Sequence, residues 1–252
     1  MPDSAGLARF YDDTYTRPPA DAERYARWRA LCAVGKADHV VALARRADLS
    51  PHTIIDVGCG DGALLSELHR RGVGAELIGA EISPAAAALA RGRDGVAMVE
   101  AFDGSRLGAP DGAYDLGVLS HVLEHVPDPA ALLREVARVC ADVIVEVPLE
   151  ANVSARRASK RAGYDEVGHL QRFDRDAVRG VVTAAGLRVD GEILDPLPLA
   201  VHRFFARTPR DRAAATAKWA VRLSLARGAP GLARRLFTFH YACLCVPAAS
   251  RR

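Results

Sequence analysis

The chain has 252 residues, half of them apolar, and a formal net charge of +3, which suits one α/β domain with an extra segment and leaves little room for a second catalytic domain. So small a net charge argues against a broadly basic nucleic-acid surface, and no eighteen uncharged apolar residues run together to span a bilayer. The start, Met1-Pro2-Asp3-Ser4-Ala5, has no basic stretch leading into an apolar one, so the chain is expected to be cytoplasmic.

In chain order, Tyr25, Trp28, Leu31 and Cys32 recur at helical spacing and predict a helix over 20–47, so that residues 1–49 form a helical cap. Thr53 to Val57 is a short β-branched run ended by glycines, followed by the helical pattern 63–68. Residues 76–80 repeat the strand signal and lead through Ser83, an N-cap, and Pro84, a first helical residue, into a helix over 85–91. Strands follow at 96–99, 114–119 and 142–147, with a helix over 129–140 started by Asp128-Pro129. A polar, basic loop (150–170), a helix (174–185), a strand (187–194), a basic segment (196–235) and an aromatic-alternating run (236–246) complete the chain. Strands alternating with helices at this interval predict βαβ crossovers, hence a doubly wound, largely parallel sheet with both faces covered.

Five cysteines, Cys32, Cys59, Cys140, Cys243 and Cys245, lack the paired spacing of a zinc site and are expected to be buried, reduced thiols. Charge is uneven: residues 196–235 carry nine Arg or Lys against Asp211 alone. Within them, 210–227 place Ala215, Trp219, Leu223 and Ala226 on one helical face, with Lys218 and Arg222 on another. Such a helix suits a solvated lid, a membrane-surface contact or a cluster receiving an anionic substrate, the solvated face being the commonest use of a charge run.

Gly58-Cys59-Gly60-Asp61-Gly62 falls between a strand and a helix, where glycine permits positive φ and close approach of a ligand. The spacing also satisfies G-x-G-x-x-A through Gly58, Gly60 and Ala63, so the glycines alone admit either a nicotinamide or an adenosylmethionine cofactor. Glu81, at the end of the second strand, suits a ribose diol in both cases. Asp56 discriminates, because a carboxylate two residues before the first glycine repels a pyrophosphate and accommodates a methionine ammonium. Asp103, after the third strand, offers an acceptor for an adenine amino group.

The order Asp56-Val57-Gly58-Cys59-Gly60-Asp61-Gly62, Glu81, Asp103, Tyr114-Asp115-Leu116 and Leu123-Glu124-His125-Val126-Pro127-Asp128 resembles the class I S-adenosylmethionine-dependent methyltransferases, particularly their ubiquinone-biosynthesis-like small-molecule group. The resemblance covers roughly 50–195. It implies a Rossmann-like seven-stranded sheet whose last strand, at 236–246, runs antiparallel, with 196–235 as a helical insertion before it. It further implies S-adenosyl-L-methionine as cofactor, with Asp56, Gly58, Cys59, Gly60 and Gly62 at its methionine end, Glu81 and Ile82 at the ribose, Asp103 and Gly104 at the adenine, and Ser120 and His121 toward the methyl group. The acceptor would be a small molecule.

Methyl transfer is an in-line displacement that depends chiefly on positioning, and a base is required only for a poorly acidic hydroxyl or a protonated amine. His121 and His169 are the candidates, each equally readable as a structural residue. His121-Val122-Leu123-Glu124-His125 matches H-x-x-E-H, yet it follows a strand directly and is broken by Pro127, unlike a zinc-peptidase helix. Some relatives hold a divalent cation at the positions of His121, Glu124 and His125, but histidine at the first position suits a hard cation poorly, so Glu124 and His125 are expected to bond the surrounding backbone and no metal is assigned. Two rival functions remain on the sequence: a nicotinamide oxidoreductase, and a protein of the same fold that transfers no methyl group.

Overall fold

The computed structural model describes residues 4–16, 19–157 and 168–249; residues 158–167 of the basic loop lie outside the described residues. Seven strands, β1 (Thr53–Val57), β2 (Glu76–Glu81), β3 (Val96–Ala101), β4 (Tyr114–Ser120), β5 (Cys140–Pro148), β6 (Leu187–Asp195) and β7 (His240–Pro247), form one sheet in the order β3-β2-β1-β4-β5-β7-β6. β1 to β5 pair in parallel, and β7 runs antiparallel to both β5 and β6. The order in which strands are added reverses between β1 and β4, and at such a switch point the loops after the strands part to leave a crevice.

Helices α2 (Pro19–Arg46), α3 (Ala63–Arg70) and α4 (Pro84–Arg91) cover one face of the sheet; α5 (Pro129–Val139) and α6 (Arg175–Ala184) cover the other. On the first face Val40, Leu43, Leu65 and Leu68 meet Ile54, Leu116 and Ile144; on the second Leu133, Val136 and Val182 meet Ile55, Leu119 and Val145. Burial on both faces explains why the central strands read as continuous apolar runs. Each such side chain contributes roughly 1.5–3 kcal/mol by leaving water. The helix starts follow the residues that announced them: Ser83 Oγ accepts from the Ala86 N–H at 3.1 Å, and Asp128 Oδ1 from the Ala131 N–H at 2.9 Å.

A further helix, α1 (Ser4–Tyr15), precedes α2. Between β6 and β7 lie three helices, α7 (Leu199–Arg203), α8 (Pro209–Gly228) and α9 (Pro230–Leu236), where the basic pattern suggested one. Pro209 and Pro230 each occupy a first helical position and so divide the segment. The last strand starts at His240, not at residue 236, because Leu236 closes α9. The face of α8 carrying Ala215, Trp219, Leu223 and Ala226 turns inward, although none of its residues is fully buried. Arg222, expected on another face, is half-buried with them, its guanidinium 5.4 Å from the Phe237 ring centroid.

All five cysteines are free; Cys243 and Cys245 lie on one face of β7 with sulfurs 3.7 Å apart. No helix among the described residues is long and apolar enough to cross a membrane.

One polar staple ties α2 to the sheet. His39 Nδ1 lies 3.0 Å from Glu146 Oε2 on β5, and its Nε2 lies 3.3 Å from Asp195 Oδ2 at the end of β6. Burial alone would lower the pKa of this ring, but Asp195 and Glu146 outweigh it and raise the value from 6.5 to about 9. The raised folded value makes its stabilisation fully present below pH 6.5 and lost as pH rises through 9, an effect of about 3 kcal/mol. The urea midpoint of the protein is therefore expected to fall between pH 6.5 and 9, and His39→Asn to flatten that fall; an equally steep fall in the variant would refute the assignment.

Candidate functional site

The crevice at the switch point is walled by the turn after β1. Gly58, Gly60 and Gly62 all have positive φ (76°, 56° and 74°), which only glycine adopts without strain. Gly62 also serves as the N-cap of α3 and leaves its helix start without a side-chain cap. The Cys59 thiol points into the core, where a Cβ on Gly79 would stand 2.6 Å from its sulfur, so only its backbone belongs to the loop.

Around this loop the ends of β1, β2 and β4 deliver acidic and hydroxyl groups. Asp56 is 3 % exposed, and burial pushes its carboxyl up to about 7, against the pull of the Lys36 ammonium from α2. Glu81 Oε2 accepts from the Gly60 N–H and Oε1 from the Ser83 N–H, both at 2.8 Å. A carboxylate oxygen accepts twice, so these bonds hold Glu81 in place and leave capacity for a diol. Burial raises its pKa as well. Ile82 faces Gly104, whose φ is 88°.

Asp103 caps its own turn. It is exposed, and its Oδ1 accepts from the N–H groups of Ser105 and Arg106 and from Ser105 Oγ, which caps the 103–106 turn and lowers its pKa. Any contact with an adenine would have to be made by its other oxygen.

Ser120 ends β4 opposite Glu146 of β5. Beyond it His121 has φ 61°, a left-handed conformation in a residue with a full side chain. Its Nδ1 is 3.1 Å from Glu124 Oε1 and its Nε2 3.5 Å from Glu146 Oε1, so both ring nitrogens face carboxylates. Burial and Lys36 would lower its pKa; Glu124 and Glu146 prevail and raise it. Conversely, burial would raise Glu146, but the rings of His121, His240 and His39 hold it well below the carboxylate range.

His125 bonds the backbone as expected, with Nδ1 3.2 Å from the Gly168 carbonyl oxygen. Burial keeps its ring neutral, down at about 4. Glu124 is 1 % exposed; burial would raise its carboxyl, but the His121 ring, with Nδ1 3.1 Å from Oε1, and a backbone N–H hold it down at about 2. His169 is drawn to the same place from the far side of the basic loop, its Nδ1 2.8 Å from Glu150 Oε2 and its ring 4.7 Å from that of His125.

Helix α1 closes the crevice. Asp12 accepts from Ser83 Oγ and from the Ala85 N–H at the start of α4. The Tyr15 hydroxyl lies where a Cβ on Gly60 would be 2.5 Å away, and the Tyr11 ring meets His125 edge-on at 5.6 Å. Among the described residues Tyr11 Oη and Ser120 Oγ are buried without a hydrogen-bond partner. Tyr11 is close enough to both Glu124 and Glu81 for their charges to add to burial in raising its pKa. A buried polar group left unpaired costs about 1–3 kcal/mol.

Residues 23–192 match the family model described as a methyltransferase domain. The chain belongs to this methyltransferase family. Among curated relatives, the ubiquinone biosynthesis O-methyltransferase of Xanthomonas oryzae is 37% identical over 102 residues, 38% of this chain and 42% of the relative. The chain thus spans about two fifths of the length of the curated relatives it matches. Among solved structures, the magnesium protoporphyrin IX methyltransferase of Synechocystis with bound S-adenosylhomocysteine superposes with a TM-score of 0.61 at 15% identity, covering 98% of this chain and 100% of that one. A [4+2]-cyclase, SpnF, superposes with a TM-score of 0.64 at 17% identity over 99% and 98% of the two chains. Both likenesses show the fold, a seven-stranded methyltransferase sheet as the sequence resemblance implied.

Several residues that build the methyltransferase crevice gave no motif: Tyr11, Tyr15, Lys36, His39, Glu146, Glu150 and His240. Only Glu146 carried a legible signal, a charge inside the otherwise apolar strand Val143-Ile144-Val145-Glu146-Val147. Because Ser120 Oγ is buried without a partner, Ser120→Ala is expected to raise the unfolding free energy by up to about 1 kcal/mol in urea titration. A loss of that size would show that the hydroxyl is already satisfied.

Proposed function

We propose that this methyltransferase moves the methyl group of S-adenosyl-L-methionine onto an oxygen, nitrogen or carbon atom of a small metabolite, with secondary-metabolite decoration as its setting. The observation that carries the reading is the pair of buried carboxylates flanking the glycine turn, Asp56 before it and Glu81 beyond it. A carboxylate at Asp56 repels a pyrophosphate and attracts an ammonium or sulfonium, which favours adenosylmethionine over a nicotinamide dinucleotide. In this reading Gly58, Gly60, Gly62 and the Cys59 backbone approach the methionine portion, Glu81 and Ile82 hold the ribose, and Asp103 with Gly104 borders the adenine. Ser120 lies toward the methyl group.

Holding the acceptor at near-attack distance supplies most of the rate. Where the acceptor must lose a proton, His169 and His121 are the candidate bases, and the carboxylate of Glu150 fixes the His169 ring through Nδ1 at 2.8 Å. Glu150 is then a positioning residue.

Selection of the acceptor is assigned to the cap and the 196–235 insertion, which meet where Trp28 of α2 packs on Phe204 and Phe205 at 5.1 and 4.9 Å. Beside this contact a cleft of about 850 Å³ is lined by Val153, Phe205 and Phe237 together with Arg157, Lys218 and Arg222. An acceptor with an apolar body and an anionic group suits such a wall better than a membrane surface does. A second reading, a protein of this fold that binds the cofactor without methyl transfer, is supported by the likeness to the [4+2]-cyclase.

Calorimetric titration with S-adenosylhomocysteine beside NADH separates these readings. The former alone is expected to bind, with Asp56→Asn and Glu81→Gln each weakening it roughly 10- to 100-fold, the worth of a hydrogen bond to a charged group. Binding of NADH instead would overturn the assignment. In a screen of acceptors followed by S-adenosylhomocysteine release, His169→Ala is expected to lose turnover about 100-fold or more with cofactor affinity retained. The reverse pattern would make His169 structural.

A further inference from the structure

At the carboxyl ends of β4 and β5 and the start of β7, three ligating atoms form a small triangle. His121 Nε2 lies 3.2 Å from His240 Nδ1 and 3.5 Å from Glu146 Oε1, and His240 Nδ1 lies 3.1 Å from the same oxygen. Protons serve this arrangement poorly. A single proton on His240 Nδ1 cannot be given to Glu146 while that nitrogen also accepts from His121. With both nitrogens protonated, two N–H groups crowd one oxygen while standing 3.2 Å apart. A cation is met by all three lone pairs at once. Ligand atoms 2.0–2.1 Å from a tetrahedral metal stand about 3.3 Å from one another, the spacing found here.

The surroundings set the ligand tautomers. Glu124 Oε1, 3.1 Å from His121 Nδ1, calls for a proton on that nitrogen and leaves Nε2 bare toward the triangle. The second oxygen of Glu146 faces His39 Nδ1 at 3.0 Å, and His39 is held in turn by Asp195. The left-handed backbone of His121, φ 61°, costs of order 1–3 kcal/mol and persists where neighbours over-determine it; here it aims the ring at Glu146 and His240. Side-chain exposures of 23% for His121 and 15% for His240 give an ion a route from solvent, while Glu146 is sealed at 3%. Lys36 of α2, near enough to influence both rings, opposes a second cation there, and the neighbouring Asp56 carboxylate offsets it.

The geometry points to a site for one divalent first-row transition cation held by His121 Nε2, Glu146 Oε1 and His240 Nδ1, with a coordination position left for water or an acceptor oxygen. Two imidazoles with one carboxylate favour zinc, iron(II) or cobalt(II) over magnesium. The site goes beyond the methyl-transfer reading and stands independently of it. A neighbouring group, Glu124, His125 and His169, also brings ligating atoms together, but its carboxylate, Glu124, is already held at Oε1 by His121 Nδ1 and so orients a ligand of the first site.

The test is calorimetric titration of the chelator-stripped full chain with zinc chloride, folding of each variant being checked by circular dichroism. One equivalent is expected to bind, His240→Phe to weaken binding more than about 100-fold, and His125→Asn to leave it within about threefold. X-ray absorption at the zinc edge of the wild-type protein, which needs no variant, is expected to show two imidazoles and no sulfur. Absence of binding, binding that survives His240→Phe but not His125→Asn, or an absorption spectrum without imidazole scattering would each overturn the site. None of these readouts depends on methyl transfer.

Discussion

A carboxylate sealed inside the sheet constrains everything around it. Glu146 sits between Val145 and Val147 of β5 and is 2% exposed, where an unpaired charge would cost several kcal/mol. Three histidines answer it from three separate parts of the chain: His39 from the cap, His121 from the turn after β4 and His240 from the last strand. Satisfying one buried charge therefore fixes where α2 lies on the sheet, how the chain leaves β4, and how the antiparallel strand enters beside β5.

The crevice itself is under-satisfied where the scaffold is over-satisfied. Tyr11 and Ser120 bury hydroxyls without a hydrogen-bond partner, and Asp56 bears a carboxyl that burial, with the charges of Glu81 and Glu146, pushes toward neutrality. Stability given up at a concave site is what a ligand recovers on binding. The same fold carries a methyltransferase and a cyclase among its solved likenesses, so chemistry on this sheet belongs to the loops and covering helices and not to the strands.

Those covering elements come from opposite ends of the chain. Helix α1 lays Asp12 and Tyr15 across the glycine turn and the start of α4, while α2 meets the insertion through Trp28 and two phenylalanines. The insertion's α8 packs by a half-buried face only, with Trp219 Nε1 donating to the Leu197 carbonyl at 3.0 Å. An element held by so little apolar burial separates from the domain at low cost.

Most of the fold was legible in the sequence because its signals are local. Strand and helix periods, the Ser83-Pro84 and Asp128-Pro129 caps and the three left-handed glycines each act within a few residues, and together they dictate a parallel α/β sheet with a glycine turn at its switch point. The division of 196–235 at Pro209 and Pro230, and the start of the last strand at His240, went unread because a basic composition hides proline punctuation. Cys59 and Asp103 belonged to a recognisable motif, yet which atom of each faces the crevice was decided by packing against Gly79 and by a four-residue turn. The histidine cluster lay beyond any sequence pattern: His121 and His240 stand 119 positions apart and meet only because β7 inserts beside β5. Local chemistry is written in consecutive residues, whereas the pairing of a buried charge with its partners exists only once the sheet has closed.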